Sequence, residues 1–222
     1  MFQLALSSKA TWADIDAMLM RRLIQLYAGL VLYGVSVALM LRANLGLEPW
    51  GVFHQGVALR TGWSFGTITI LVGALVLLLW IPLRQKPGIG TISNVFVIGL
   101  AVDAALPFVD APEGYAARTA MLAAGIVLNG LAGGAYIGAG LGPGPRDGLM
   151  TGIVRRTGLS IRLVRTSIEV VVLASGWLLG GVVGLGTMLY ALSIGWLVQI
   201  FLPALTVRDR IAPPEGVREE AI

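Results

Sequence analysis

Slid along itself by 96 positions, the chain matches its own second half without a gap. Of the 86 residues from Arg22 to Pro107, 27 are identical to their counterparts from Arg118 to Pro203, about 31%. The matches include residue types that chance rarely aligns. Pro49 falls on Pro145, Arg60-Thr61-Gly62 on Arg156-Thr157-Gly158, Ser64 on Ser160, Thr91 on Thr187 and Pro107 on Pro203. A fold that accepts this sequence is built from two copies of one unit.

Each copy holds three apolar runs near the ~20 residues that a bilayer crossing takes. They are residues 23–41, 65–83 and 88–109 in the first copy, and 119–140, 160–179 and 185–207 in the second. The chain is 56% hydrophobic and 13% charged, against about 25% charged in a soluble domain, whose exterior must face water. The runs therefore belong in lipid. Three is an odd number, so the second copy enters the membrane upside down relative to the first. The basic residues test this independently. With the N-terminus inside, thirteen of the 16 Lys and Arg fall on cytoplasmic segments, leaving Arg42, Arg60 and Arg118 outside, as the positive-inside rule asks. The fold expected is all-α integral membrane, with six transmembrane helices in two inverted-topology three-helix repeats over 21–109 and 118–207. A cytoplasmic segment, 1–20, precedes them, with Thr11 and Asp14 as a helix-cap signal. A solvated cytoplasmic tail, 208–222, follows.

Two stretches are too short to span, 49–61 and 145–157. Each opens with Gly followed closely by Pro, a start signal with Pro at the first helical position. As helices of 13 residues they reach about 20 Å, short of the ~30 Å hydrocarbon core. They are either re-entrant half-helices or helices lying in the interface. Around them, Leu45-Gly-Leu-Glu-Pro-Trp50 with His54-Gln55-Gly56, and Gly140-Leu-Gly-Pro-Gly-Pro-Arg-Asp-Gly-Leu-Met150, resemble the two signature loops of the YczE-like bacterial membrane protein family (the YczE/YyaS/YitT group). The resemblance covers residues 20–205 and implies a multi-pass protein of the bacterial plasma membrane. Gly51 stands where that family's first loop often carries Asp after Pro-Trp, so the resemblance does not carry a pair of carboxylates onto the two loops.

A helix N-terminus offers free N–H groups and about +0.5 of charge. If the short helices are re-entrant, their starts meet near the midplane, where transporter sites commonly lie. Arg146 then adds a full positive charge, with Asp147, Glu48, Trp50, His54 and Gln55 as further binding groups. If they are interfacial, Trp50 is a membrane anchor and Asp147 satisfies its helix dipole. Asn94 and Tyr190 are repeat-equivalent polar positions, and Asn129 lies mid-span. Each lines a cavity or makes an interhelical hydrogen bond. Glu169 is the charge set deepest in a span. It is either functional or neutralised by Arg165 four residues before it, with Arg162 and Arg165 reaching back to the interface. Asp103 reads as interfacial. Gly34-xxx-Ala38 and Gly130-xxx-Gly134 are repeat-equivalent small-residue pairs, read as the contact across the two-fold, with homodimer formation the competing use.

The chemistry classes narrow accordingly. Zero Cys and a single His exclude thiol nucleophiles and multi-histidine metal centres. No Ser/His/Asp set or P-loop is present, and no cofactor is called for. Fourteen of the basic residues are Arg scattered between apolar runs, which reads as topology rather than nucleic-acid binding. The expected partners are the lipid bilayer and a small-molecule solute. The expectation is not an enzyme but a transporter or exporter of a small solute, an anionic one if the half-helix N-termini hold it. A passive channel and a non-transporting scaffold or regulatory subunit are the rival readings.

Overall fold

The computed structural model describes residues 12–207, so the cap expected at Thr11 and the tail from Arg208 lie outside the described residues. Within them the chain forms α1 (Trp12–Ala43), α2 (Pro49–Thr61), α3 (Phe65–Leu83), α4 (Ile89–Ala105), a 3-10 turn at Leu106–Phe108, α5 (Tyr115–Gly138), α6 (Pro145–Thr157), α7 (Ile161–Leu178) and α8 (Leu185–Leu205). Among the described residues there is no strand. Five helices are long and apolar enough to cross a membrane: α1, α3, α4 with its 3-10 turn, α5 and α8. Of the six expected spans, α7 is not among the five. It has 18 residues and carries Arg162, Arg165 and Glu169. The protein is an all-helical membrane protein, and rows of large apolar side chains face outward. On α8, Met188, Leu192, Trp196 and Ile200 are each at least 65% exposed, a stripe at helical spacing that fits acyl chains.

Local signals explain the boundaries. The short helices α2 and α6 both start with Pro at N1 and both end on a left-handed glycine, Gly62 (φ 74°) and Gly158 (φ 69°), where a side chain would strain the backbone. Ser64 caps α3 by accepting from the Thr67 N–H, and Ser160 caps α7 by accepting from Leu163. Two boundaries differ from expectation. The first span begins far upstream, because α1 runs unbroken through Arg21-Arg22. The fifth helix starts at Tyr115 rather than Thr119, which lets Arg118 donate to the carbonyls of Ala43 (2.7 Å) and Asn44 (2.6 Å) and close the end of α1.

Contacts recur at the 96-residue offset. Gly29 of α1 abuts Ala132, Ala135 and Tyr136 of α5, while Gly125 of α5 abuts Ser36, Leu39 and Met40 of α1. The Gly90 N–H donates to Leu141 O (2.8 Å) and the Gly186 N–H to Leu45 O (2.7 Å). Gly34 and Gly130 do not make the α1–α5 contact expected of them. Gly34 packs on Ile98, Ala101 and Val102 of α4, and Gly130 on Leu197 of α8. Gly29 and Gly34 are five residues apart, about 140° around a helix of 3.6 residues per turn, so Gly29 takes the central contact and Gly34 the flanking one.

One contact breaks the pattern. α3 packs closely along α4. A Cβ on Gly66 would sit 2.1 Å from Gly99 O. Above it, Asp103 receives hydrogen bonds from Ser64 Oγ (2.5 Å) and the Gly66 N–H (2.8 Å), so Asp103 clamps the start of α3 to the end of α4. The counterparts in α7 and α8 are Arg162, Gly195 and Gln199. Here the helices stand apart, and a Cβ on Gly195 would meet nothing within 4 Å.

Candidate functional site

All eight α-helices contribute to one cavity of about 460 Å³. The starts of the two short helices meet at it. Trp50, the second residue of α2, is only 8% exposed, and the Arg146 guanidinium, from the second residue of α6, lies 4.8 Å over its ring, a cation–π contact. Positions 50 and 146 are counterparts in the repeat, so two equivalent residues of different chemistry touch each other. Among the described residues the one ion pair is Arg165–Glu169, so no carboxylate closes on Arg146. Trp80 fixes the start of α6: its indole N–H donates to Pro145 O (3.0 Å). Its ring lies on Gly148, where a Cβ would come within 1.9 Å of it.

Two carboxylates flank the stack. The Glu48 side chain folds over Gly51, whose Cβ would lie 2.7 Å from Glu48 Oε2. Asp147 folds back over Gly144, whose Cβ would lie 3.2 Å from Asp147 Oδ2. Glu48 is the counterpart of Gly144, and Gly51 of Asp147. The two acids thus reach corresponding places from opposite ends of the same four-residue turn. This supplies the pair of carboxylates that a position-by-position reading denies the first loop. It also means that the chain's own acids cover the starts of both short helices, and that the positive group left open to the cavity is Arg146. Around Gly144, Tyr136 Oη and Asn94 Nδ2 approach the same point at 3.3 and 3.9 Å.

Hydrogen-bond accounting leaves two acceptors open. Glu48 is 4% exposed and His54 2%, and neither Glu48 Oε2 nor His54 Nε2 has a partner. The Thr69 hydroxyl donates its single proton to Phe65 O (2.9 Å). With that proton on Phe65 O, the hydroxyl accepts from His54 Nδ1 at 3.1 Å, the tautomer that leaves Nε2 as a bare acceptor in the neutral ring. On the far wall Tyr190 Oη donates to Asn129 Oδ1 (2.9 Å), and Asn129 Nδ2 donates to Ser36 Oγ (2.7 Å).

Of the residues singled out in the sequence, Glu48, Trp50, His54, Asn94, Arg146, Asp147, Glu169 and Tyr190 all line this cavity. Gln55 does not. Its Oε1 accepts from the Val182 N–H at 2.8 Å, tying α2 to the α7–α8 turn. Glu169 lines the cavity already paired with Arg165 at 3.1 Å. Tyr33, Thr69 and Tyr136 also line it and escape the sequence reading. Tyr33 is the repeat counterpart of Asn129, so polarity in both copies at one position was the signal. Tyr136 has Met40 as its counterpart and gives none. Among the described residues no three His, Asp or Glu side chains come together to hold a metal.

Comparison with known proteins agrees with the membrane fold. A family model described as a family of unknown function (DUF6198) matches residues 20–203. An uncharacterized protein of Haemophilus influenzae is 42% identical over 78% of this chain and 79% of its own length. The uncharacterized membrane protein YczE of Bacillus subtilis is 34% identical over 80% and 83%. The uncharacterized protein YyaS of the same organism is 24% identical over 79% and 89%. No solved structure matches the chain.

Proposed function

The chain belongs to the DUF6198 family of YczE-like membrane proteins, and from that premise we propose that it is a six-span, inverted-repeat transporter of a small solute in the bacterial plasma membrane. The solute sits near the midplane, between two re-entrant half-helices. Contacts that recur at the 96-residue offset support the inverted repeat. Burial of Trp50 beneath Arg146 supports half-helices that turn inward rather than lie at the headgroups. The observation that carries transport, over a channel or a scaffold, is the mismatch between α3–α4 and α7–α8. One gate is shut by Gly66, Gly99 and Asp103, its counterpart is open, and the cavity between them extends to Gly195 and Gln199 on the open side. Two near-equivalent halves in unequal conformations are what alternating access requires: exchange of their shapes opens the other side. Arg162 stands where Gly66 does, so the second gate closes less far and relies on Gly195 remaining a glycine.

Crosslinking tests this directly, because the chain has no native Cys. A short bifunctional thiol reagent should join the pair Ser64→Cys/Asp103→Cys in the open-inward state. It should also join Ser160→Cys/Gln199→Cys in a separate population of the same membranes, with neither molecule carrying both links. A channel or scaffold with one resting shape gives the first product and never the second. The orientation has its own test. Cysteines at Lys86 and Arg155 should react only with reagents that enter the cytoplasm, and one at Glu113 with reagents outside. Outside labelling at position 155 sinks the inverted topology.

A further inference from the structure

We propose, building on the transport reading, that the solute is a small zwitterion. Its carboxylate or similar anionic group pairs with Arg146, and its ammonium group is held by Glu48, His54 and Asp147.

Beside the closed Arg165–Glu169 pair, the cavity presents one guanidinium, Arg146, and two acids, Glu48 and Asp147, with no ion pair among these three within 4 Å in the described residues. A plain anion satisfies Arg146 but is repelled by two carboxylates. A plain cation satisfies the acids and leaves Arg146 desolvated and unmatched. A molecule that carries both charges answers all three groups. The second line of argument is independent of charge. Glu48 Oε2 and His54 Nε2 are buried acceptors without a donor, on residues that line the same cavity. Unmade bonds of this kind are costly in an empty site and mark where a ligand donates. An ammonium group brings three N–H donors. The guanidinium lies over the Trp50 ring, and its N–H fork can offer a carboxylate two parallel bonds. The size agrees: about 460 Å³ holds a molecule of amino-acid dimensions and lies at the small end of ligand sites.

The test is thermal unfolding of the purified full-length protein in detergent, with three matched sets of probes. The first set is the proteinogenic amino acids with β-alanine and 4-aminobutyrate. The second is their decarboxylated amines, and the third their deaminated acids. At least one zwitterion should raise the unfolding temperature, with its amine and its acid each binding on the order of tenfold more weakly or worse. Glu48→Gln and Asp147→Asn preserve shape and should weaken the zwitterion by a similar factor while leaving the corresponding acid unaffected or tighter. If the acid binds as well as the zwitterion, the solute is a simple anion and the proposal is overturned. An amine that binds as well, or no response to any zwitterion, overturns it too. None of these results touches the crosslinking test of transport. Conversely, a zwitterion that binds a protein with no second crosslink leaves this inference standing and removes the transporter.

Discussion

Gly195→Val should fold as well as the parent protein, bind solute and fail to carry it across the membrane. A Cβ at position 195 meets nothing within 4 Å, and valine suits a helix somewhat better than glycine, so the unfolding temperature should hold or rise. The identical change at the repeat counterpart, Gly99→Val, has the opposite effect. There a Cβ would lie 2.5 Å from Gly66 O and 2.7 Å from Ile70 Cγ1. Forcing it in should cost about 1–3 kcal/mol or more, because backbone cannot move aside as a side chain can. Unfolding in detergent and flux into reconstituted vesicles, measured on both variants, separate the two effects. Normal flux in Gly195→Val shows that α7 and α8 never close, and alternating access falls with it.

Arg146→Ala should lower solute affinity on the order of a hundredfold, the loss expected when one member of a desolvated, charge-assisted pair is removed. Arg146→Lys should recover only part of it, since an ammonium lacks the planar fork that donates two parallel bonds. Expression and unfolding temperature should change little, because among the described residues Arg146 donates no hydrogen bond that holds helix to helix. Arg156→Ala is the contrast. Arg156 Nη2 donates to Pro82 O (2.5 Å), fastening α6 to the end of α3. Its loss should cost about 1 kcal/mol of stability and leave affinity unchanged. Equal effects of the two substitutions on isothermal binding would make Arg146 a structural fastener.

How much of this was legible in the sequence depended on whether the signal was local. The bounds of α2, α3 and α6 agree to the residue with the sequence reading, since Pro at N1, Ser at the N-cap and Gly at the C-cap act within one turn. The run into the first span misleads because two arginines look like a boundary, while a helix can pass through and let their long side chains seek the interface. Gly34 misleads for a different reason. Its spacing identifies a close helix contact but not which neighbour fills it, and that depends on the angle around α1. The site was legible wherever polar residues stood out from an apolar background. It was not legible where function rests on an exchange: Glu48 replaces an acid at position 51 from three residues away, a substitution visible only once both side chains have a place in space. The looser packing of α7 on α8 left a trace at Arg162 and Gln199, which stand where α3 and α4 carry Gly66 and Asp103, but the repeated glycine at 99 and 195 hides it until the packing is seen.

The stack of Trp50 against Arg146 also bears on ancestry. A dimer of two identical chains must present the same residue on both sides of its axis, so its central site can be Trp against Trp or Arg against Arg, never one against the other. Duplication followed by fusion into one chain frees each half to mutate alone. Positions 50 and 146 record that freedom where it matters most, at the point where the halves touch. A meeting point with two unlike walls is open to a fused chain and closed to a symmetric pair of identical ones.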